Sequence, residues 1–172
     1  MNGWNNSEYV TALIISNLVV LIILYFSIRQ QRVARLLMFL LFMWAGITNW
    51  YVATHNPEAY LQYADLAFIA WYRDFINGWF RNNALWFIGL IATGQLAIAI
   101  SMLLKGWMFR TGALGGMIFL LAITPLGVGA GFPFPLIGAL AFYLLYRRPF
   151  VDYLWRSEYT FRPKRSKLSA QA

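Results

Sequence analysis

Residues 10–28, with the sequence VTALIISNLVVLIILYFSI, form a run of 19 positions without a charged side chain. A helix of that length rises about 28 Å, which is close to the ~30 Å hydrocarbon core of a bilayer. The whole chain agrees with this pattern, because 60 % of its 172 residues are hydrophobic and only 12 % are charged. A soluble domain of this size could not bury so much apolar surface. The sequence therefore predicts an integral membrane protein.

Further uncharged stretches follow the first. We predict that they also span the membrane, at 36–53, 84–104, 111–130 and 132–146. The last is short and follows a turn rich in Gly and Pro. The fold class is thus an all-α polytopic membrane helix bundle of five transmembrane helices, a four-helix core plus the N-terminal helix. We expect one domain over 1–146 and a basic tail at 147–172.

The basic residues indicate how this bundle is oriented. Twelve of the 14 Lys and Arg residues fall in alternate connections on one predicted side, and only Arg73 and Arg81 lie on the other. The positive-inside rule puts the twelve in the cytoplasm and the N-terminus outside. We therefore expect a bacterial cytoplasmic membrane protein whose first partner is the lipid bilayer. The net charge of +8 is then an orientation signal, and nucleic acid is not an expected partner.

The composition also limits the chemistry of the chain. Cysteine is absent and His55 is the one histidine. These counts exclude disulfides, thiolate catalysis, iron–sulfur ligation by this chain and multi-histidine metal sites. The predicted spans carry no charged side chain, so we expect no intramembrane proton relay or acid–base pair. The chain is expected not to be catalytic on its own and to have no metal or cofactor of its own.

The connection at 54–83 is too long for a simple turn. Its apolar residues recur at every third or fourth position, which predicts an extracytoplasmic amphipathic helix at about 58–80. Its ionisable residues and the preceding histidine form a candidate polar site at the outer mouth of the bundle: His55, Glu58, Asp65, Arg73 and Asp74. The alternative for these residues is local ion pairing and hydration on a solvated face. His55 is considered separately: it either handles a proton, because the ordinary pKa of histidine lies near neutrality, or is simply hydrated.

Neutral polar residues within the spans are candidates for ligand binding. Amides are costly in hydrocarbon unless they are paired, so Asn49 and Gln95 are expected to face other helices. They either join helices or bind a neutral ligand such as a quinone through hydrogen bonds. With nearby residues they form the candidate ligand set of Asn49, Gln95, Trp50, Trp86 and Thr48. The two tryptophans also fit an aromatic belt at the membrane surface.

The order of elements over 35–148 resembles the DoxX/DoxD-like family of small bacterial membrane proteins. The matching pieces are RLLMFLLFMWAG at 35–46, the amphipathic stretch, GLIATGQLAIAISMLL at 89–104 and two closing helices. The resemblance implies a four-helix core and a role beside a membrane oxidoreductase, since some members are subunits of quinone-reducing complexes. This chain has Thr48, Asn49 and Trp50 where many members place Lys, and Gln95 where many place Glu. These departures favour an accessory role.

Three functions are open at this point. The first is an accessory subunit of a membrane oxidoreductase or quinone-linked complex, which anchors its partners and binds a lipophilic quinone in an aromatic-walled slot. The second is a small carrier or channel-like protein for a neutral or lipophilic solute, with a solvated cavity lined by Asn17, Asn49 and Gln95. The third is a purely structural assembly subunit with a dry bundle. Other membrane subunits or further copies of the chain are the expected protein partners.

Overall fold

The computed structural model describes residues 7–149 and 152–156. All regular secondary structure within these ranges is helical, which confirms the all-α prediction. The seven α-helices are α1 Ser7–Arg29, α2 Gln31–His55, α3 Tyr63–Leu66, α4 Ala70–Phe75, α5 Arg81–Leu103, α6 Gly106–Ile123 and α7 Phe134–Tyr146. Most of the predicted basic tail, at 157–172, lies outside the described residues.

Four segments of the described chain are long and apolar enough to cross a membrane: Val10–Arg29, Gln31–His55, Ala70–Leu103 and Gly106–Ala130. This agrees with a membrane location. The fifth predicted span, 132–146, corresponds to α7, whose 13 residues rise only about 20 Å. The described chain therefore has four helices of spanning length and one apolar helix that is shorter.

Small residues allow the helices to approach one another closely. A Cβ atom on Gly46 of α2 would lie 2.8 Å from the Leu96 side chain of α5, so only glycine fits without displacing Leu96. Gly116 of α6 lies directly beneath the Phe142 ring of α7, which fills the space of a side chain. The ring of Phe142 meets that of Phe42 edge-on, with centroids 5.3 Å apart, in the buried centre of the bundle. These contacts join α2, α5, α6 and α7 around one core.

The prediction of a single helix over 58–80 is wrong. Ala67 and Ile69 have extended backbones, and the N–H of Phe68 donates to the Pro125 carbonyl at 2.9 Å instead of continuing a helix. Gly78 is also non-helical, with φ −95° and ψ −105°. The segment consists of a 3₁₀ turn, α3, α4 and a π turn: Pro57–Gln62, Tyr63–Leu66, Ala70–Phe75 and Ile76–Phe80. The chain must bend to cover the end of the bundle, so a helical period persists only within each short piece.

The bundle has two different ends. We call one the arginine end, formed by residues 29–35, 104–110, 147–149 and 152–156. The other is the aromatic end, formed by residues 54–83 and 124–133, where the broken segment covers the helices. Because α2 runs from the first end to the second and α5 runs back, the two helices are antiparallel along their contact. This antiparallel pair places the central residues of α2 beside those of α5.

A buried arginine closes the arginine end. Arg35 is only 2 % exposed, and its guanidinium carbon lies 4.7 Å from the centre of the Phe109 ring. Its Nε donates to the carbonyl of Met102 at 2.8 Å, Nη1 to that of Asp152 at 2.8 Å and Nη2 to that of Leu104 at 2.5 Å. Arginine suits this position because its planar fork donates in several directions at once. It ties α2 to the end of α5 and to the chain after α7.

Candidate functional site

The site begins with a chain of three polar side chains at the contact of α2 and α5. The Nδ2 of Asn49 donates to the Oε1 of Gln95 at 2.7 Å, and the hydroxyl of Tyr60 donates to the Oδ1 of Asn49 at 2.6 Å. Gly46 lies one turn before Asn49 and lets α2 approach α5. Tyr60 reaches the pair because the 3₁₀ turn folds back over the end of α2.

Gln95 ends this chain with an open donor. Its side chain is buried, with the residue only 5 % exposed, and its Oε1 accepts from Asn49. Its Nε2 donates to no group among the residues that the structure describes. Buried polar groups are almost always hydrogen-bonded, and leaving one unpaired costs about 1–3 kcal/mol. An external acceptor at this nitrogen would therefore be stabilising.

Gln95 and Asn49 face a cavity of about 420 Å³ at the aromatic end. The volume lies within the range of small-ligand sites in proteins. None of the residues around the cavity is Asp, Glu, Lys, Arg or His. Its walls are largely aromatic, from Tyr60, Tyr63, Trp71, Tyr72, Phe75, Phe80, Phe87 and Phe119. Such a lining suits a flat, uncharged ligand, because the charge of an ion would be desolvated there without a partner.

One side of the cavity is formed by α4 and α6. Trp71 of α4 lines it and is 64 % exposed. The hydroxyl of Tyr72 donates to the carbonyl of Ala122 at 2.5 Å, in the last turn of α6, where carbonyls lack helical partners. This hydrogen bond ties α4 to α6 beside the cavity.

Stacked rings form the wall of the cavity beside Trp71. The rings of Trp71 and Phe75 are 5.7 Å apart and inclined by 13°, and those of Phe75 and Trp79 are 5.7 Å apart and inclined by 25°. Phe87 of α5 meets Phe75 and Phe80 edge-on at 5.5 and 5.7 Å. Each such pair contributes roughly 0.5–1.5 kcal/mol beyond its area burial. These ring contacts support the aromatic wall from within the chain.

The hydroxyl of Tyr60 keeps its proton at neutral pH. Burial, with a smaller contribution from the neighbouring Tyr63, raises the pKa of Tyr60 to about 12. The neutral hydroxyl can then donate to Asn49, which orients the Asn49 amide so that its nitrogen points to Gln95. The open donor at Gln95 follows from this order of hydrogen bonds.

A second cavity of about 790 Å³ lies on the other side of Gln95. It is bounded by α1, α2, α6 and the turn that precedes α7. Six residues line both cavities: Tyr63, Gln95, Phe119, Ile123, Gly129 and Ala130. The two cavities are therefore neighbours with a common wall.

The structure separates the members of the predicted ligand set. Asn49 and Gln95 lie together in the wall of the aromatic cavity. Trp50 packs over Gly89, where a Cβ atom would lie 3.1 Å from its ring, and Trp86 is 81 % exposed. Thr48 is half-buried and, like both tryptophans, lines neither cavity.

The predicted polar cluster is dispersed. The His55 ring stacks on Tyr51, with centroids 4.2 Å apart, and its Nδ1 lies 2.9 Å from the Tyr51 carbonyl. The Nε of Arg73 donates to the carbonyl of Ala64 at 3.4 Å. Within the described ranges, no ion pair joins Arg73 to the exposed carboxylates of Glu58, Asp65 and Asp74. The arrangement is that of a solvated surface.

Sequence reasoning missed most of the cavity wall. Tyr60 and Tyr63 reach the site only because the segment after α2 turns back on the bundle, and Phe119 arrives from α6. Trp71 and Phe75 belonged to the apolar face of the predicted amphipathic helix but were not assigned to a site. Their recurrence at four-residue spacing was the one available signal.

Comparison with family models, with curated proteins and with solved structures finds no match to this chain.

Proposed function

We propose that this chain is an integral membrane subunit that binds a neutral, flat, lipophilic ligand of the quinone class in the aromatic cavity. In this proposal it is an accessory to a membrane oxidoreductase or quinone-linked complex. The observation that carries the proposal is the Gln95 side chain, in a residue that is only 5 % exposed, whose amide nitrogen has no acceptor among the described residues.

The chemistry of the cavity supports this class of ligand. An open N–H donor calls for an acceptor such as a carbonyl oxygen, which a quinone presents at the edge of a flat ring. Aromatic walls stack on such a ring, and the absence of a charged lining residue favours a neutral molecule over an ion. Entry beside Trp71, which lines the cavity and is 64 % exposed, would suit a ligand that arrives from a bilayer.

The position of Asn17 weighs against the carrier alternative. That function needs Asn17, Asn49 and Gln95 around one solvated cavity. The Nδ2 of Asn17 instead donates to the carbonyls of Leu13 at 2.8 Å and Gly131 at 3.0 Å, and Asn17 lines neither cavity. Asn17 joins α1 to the turn before α7, which is a structural role.

The accessory role rests on composition. A quinone exchanges electrons, yet the sequence has no cysteine and only one histidine to ligate a redox metal. We infer that electrons would reach the bound quinone from a partner subunit. The part of this chain would be to bind and orient the ring.

Equilibrium dialysis of menadione, a quinone without a tail, against the purified protein in lipid nanodiscs tests the ligand. We expect the wild type to bind and Gln95→Leu to bind about three- to tenfold more weakly, because one neutral hydrogen bond contributes about 0.5–1.5 kcal/mol. Thr93→Val is the matched control, since the Thr93 hydroxyl donates to Gly89 within its own helix. Lack of binding by the wild type, or equal binding by Gln95→Leu, would contradict the proposal.

Purification in mild detergent tests the accessory role. Mass spectrometry of the co-purified proteins and of the extracted lipids should identify oxidoreductase subunits and a quinone. A monomer that carries neither would overturn the accessory assignment.

A further inference from the structure

We infer that the ligand has two parts, a flat headgroup that bears a carbonyl and a hydrocarbon tail, and that the second cavity receives the tail. This inference rests on the proposed function, because it assigns the headgroup to the aromatic cavity. It adds the requirement of a hydrocarbon tail, which the aromatic cavity alone does not impose.

The first argument is the position of Gln95 between the two cavities. Its side chain lines both of them, and its open Nε2 is the donor that a headgroup carbonyl would accept from. A headgroup bound to this nitrogen lies at the common wall. A substituent next to the carbonyl can then extend into the second cavity while the ring stays among the aromatic residues.

The second argument is the different lining of the two cavities. Eight of the 18 residues that line the first cavity are aromatic, whereas the residues that line the second cavity but not the first are mainly aliphatic, such as Leu13, Ile15, Val19 and Leu41. Ser16 is one of the few polar residues there, and its hydroxyl donates to the Leu13 carbonyl at 3.0 Å within its own helix. An aliphatic cavity next to one with aromatic walls matches a hydrocarbon tail attached to a flat headgroup.

The third argument is the rim of the second cavity. Ile15 of α1 and Trp44 of α2 line it and are 57 % and 66 % exposed. The cavity therefore reaches the outer surface between α1 and α2. A tail longer than the cavity could continue from there into surrounding lipid without crossing a polar surface.

Two probes with the same headgroup test the inference. Menadione has no tail, and 2-methyl-3-farnesyl-1,4-naphthoquinone adds three isoprene units to the same ring. Ala45→Phe fills the second cavity from α2, and Val19→Phe fills it from α1. Ala97→Phe is the matched control, since Ala97 is exposed on α5 and lines neither cavity. Each affinity is compared with that of the wild type in identical nanodiscs, so partitioning of the probe into lipid cancels.

We expect each filling variant to weaken the tailed probe by about fivefold or more, because the tail loses its packing, and to leave menadione within about twofold. Retained menadione binding also shows that the variant is folded. Ala97→Phe should change neither affinity. Equal effects of the filling variants on both probes, or no effect on the tailed one, would overturn the two-part ligand. Failure of both probes to bind the wild type would instead contradict the proposed function.

Discussion

The two ends of the bundle differ in whether every side-chain nitrogen of a buried residue donates a hydrogen bond. At the arginine end, Arg35 is 2 % exposed and each of its three nitrogens donates to a main-chain carbonyl. At the aromatic end, Gln95 is 5 % exposed and its amide nitrogen donates to no described group. A satisfied buried donor stabilises the fold, whereas an open one stabilises a complex that supplies the acceptor.

The cavities at the two ends also differ in whether their polar side chains are paired within the chain. The arginine end has a polar cavity of about 580 Å³ beside Arg29, Arg35 and Asp152. Arg35 is held by carbonyls, and the Asp152 carboxylate lies 3.4 Å from the Arg156 guanidinium and accepts from the Tyr153 N–H at 2.8 Å. Arg35 and Asp152 are thus engaged within the chain. If the proposed function holds, stability depends on one end and ligand binding on the other, which three changes can test.

The largest effect is expected from Arg35→Ala. The substitution leaves the carbonyls of Met102, Leu104 and Asp152 without their donor, so the free energy of unfolding should fall by about 3 kcal/mol or more. Unfolding by SDS titration in mixed micelles measures this loss.

Arg29→Ala is the matched control for Arg35→Ala, because Arg29 is exposed at the same end. We expect it to change stability by no more than about 0.5 kcal/mol. If both variants lose the same amount, net charge rather than the carbonyl contacts of Arg35 stabilises this end.

A smaller effect is expected from the pH dependence of Tyr60. Because burial raises the pKa of Tyr60 to about 12 in the folded protein, from 10.0 without burial, the folded state retains a proton that the unfolded state loses. The stabilisation is complete below pH 10 and is lost as the pH rises to 12. The melting temperature of the wild type should therefore fall relative to that of Tyr60→Phe over this range.

The difference between the wild type and Tyr60→Phe isolates this residue, since the other tyrosines titrate in both proteins. Parallel melting curves from pH 9 to 12 would show that the Tyr60 hydroxyl ionises in the folded state as it does in water. The wall of the aromatic cavity would then be wetter than its burial indicates.

The smallest effect on stability is expected from the triple variant Asn49→Leu, Gln95→Leu and Tyr60→Phe. It removes the whole hydrogen-bonded chain, so no member is left unpaired, and such replacement by apolar groups of similar shape is nearly neutral. Stability should change by less than about 1 kcal/mol, while menadione should bind about three- to tenfold more weakly, as in Gln95→Leu. A large loss of stability would mean that the three residues serve the fold.

The sequence predicted the centre of the site but not its walls. Asn49 and Gln95 were foreseeable because amides within hydrocarbon need hydrogen-bond partners. Each residue shows this need by its own place in an apolar segment, although the two lie 46 positions apart in the chain. Tyr60 and Tyr63 were not foreseeable, because their place depends on where the chain bends after α2. The polar cluster of His55, Glu58, Asp65, Arg73 and Asp74 was predicted from proximity in sequence, and the extended backbone at Ala67 and Ile69 interrupts the helix between Asp65 and Arg73.

Apolar composition and helical period are local properties, and the sequence by itself determined what depends on them: an all-helical chain with helices of membrane-spanning length. The tertiary structure decided which donors are paired. Arg35 closes a basic connection and Gln95 lies inside a predicted span, but the sequence around each residue does not show which groups lie within hydrogen-bonding distance of its nitrogens. The close approach of α2 and α5 at Gly46 and the folded cover over the aromatic end leave the Gln95 amide facing a cavity, because pairing is a property of distances between segments remote in sequence.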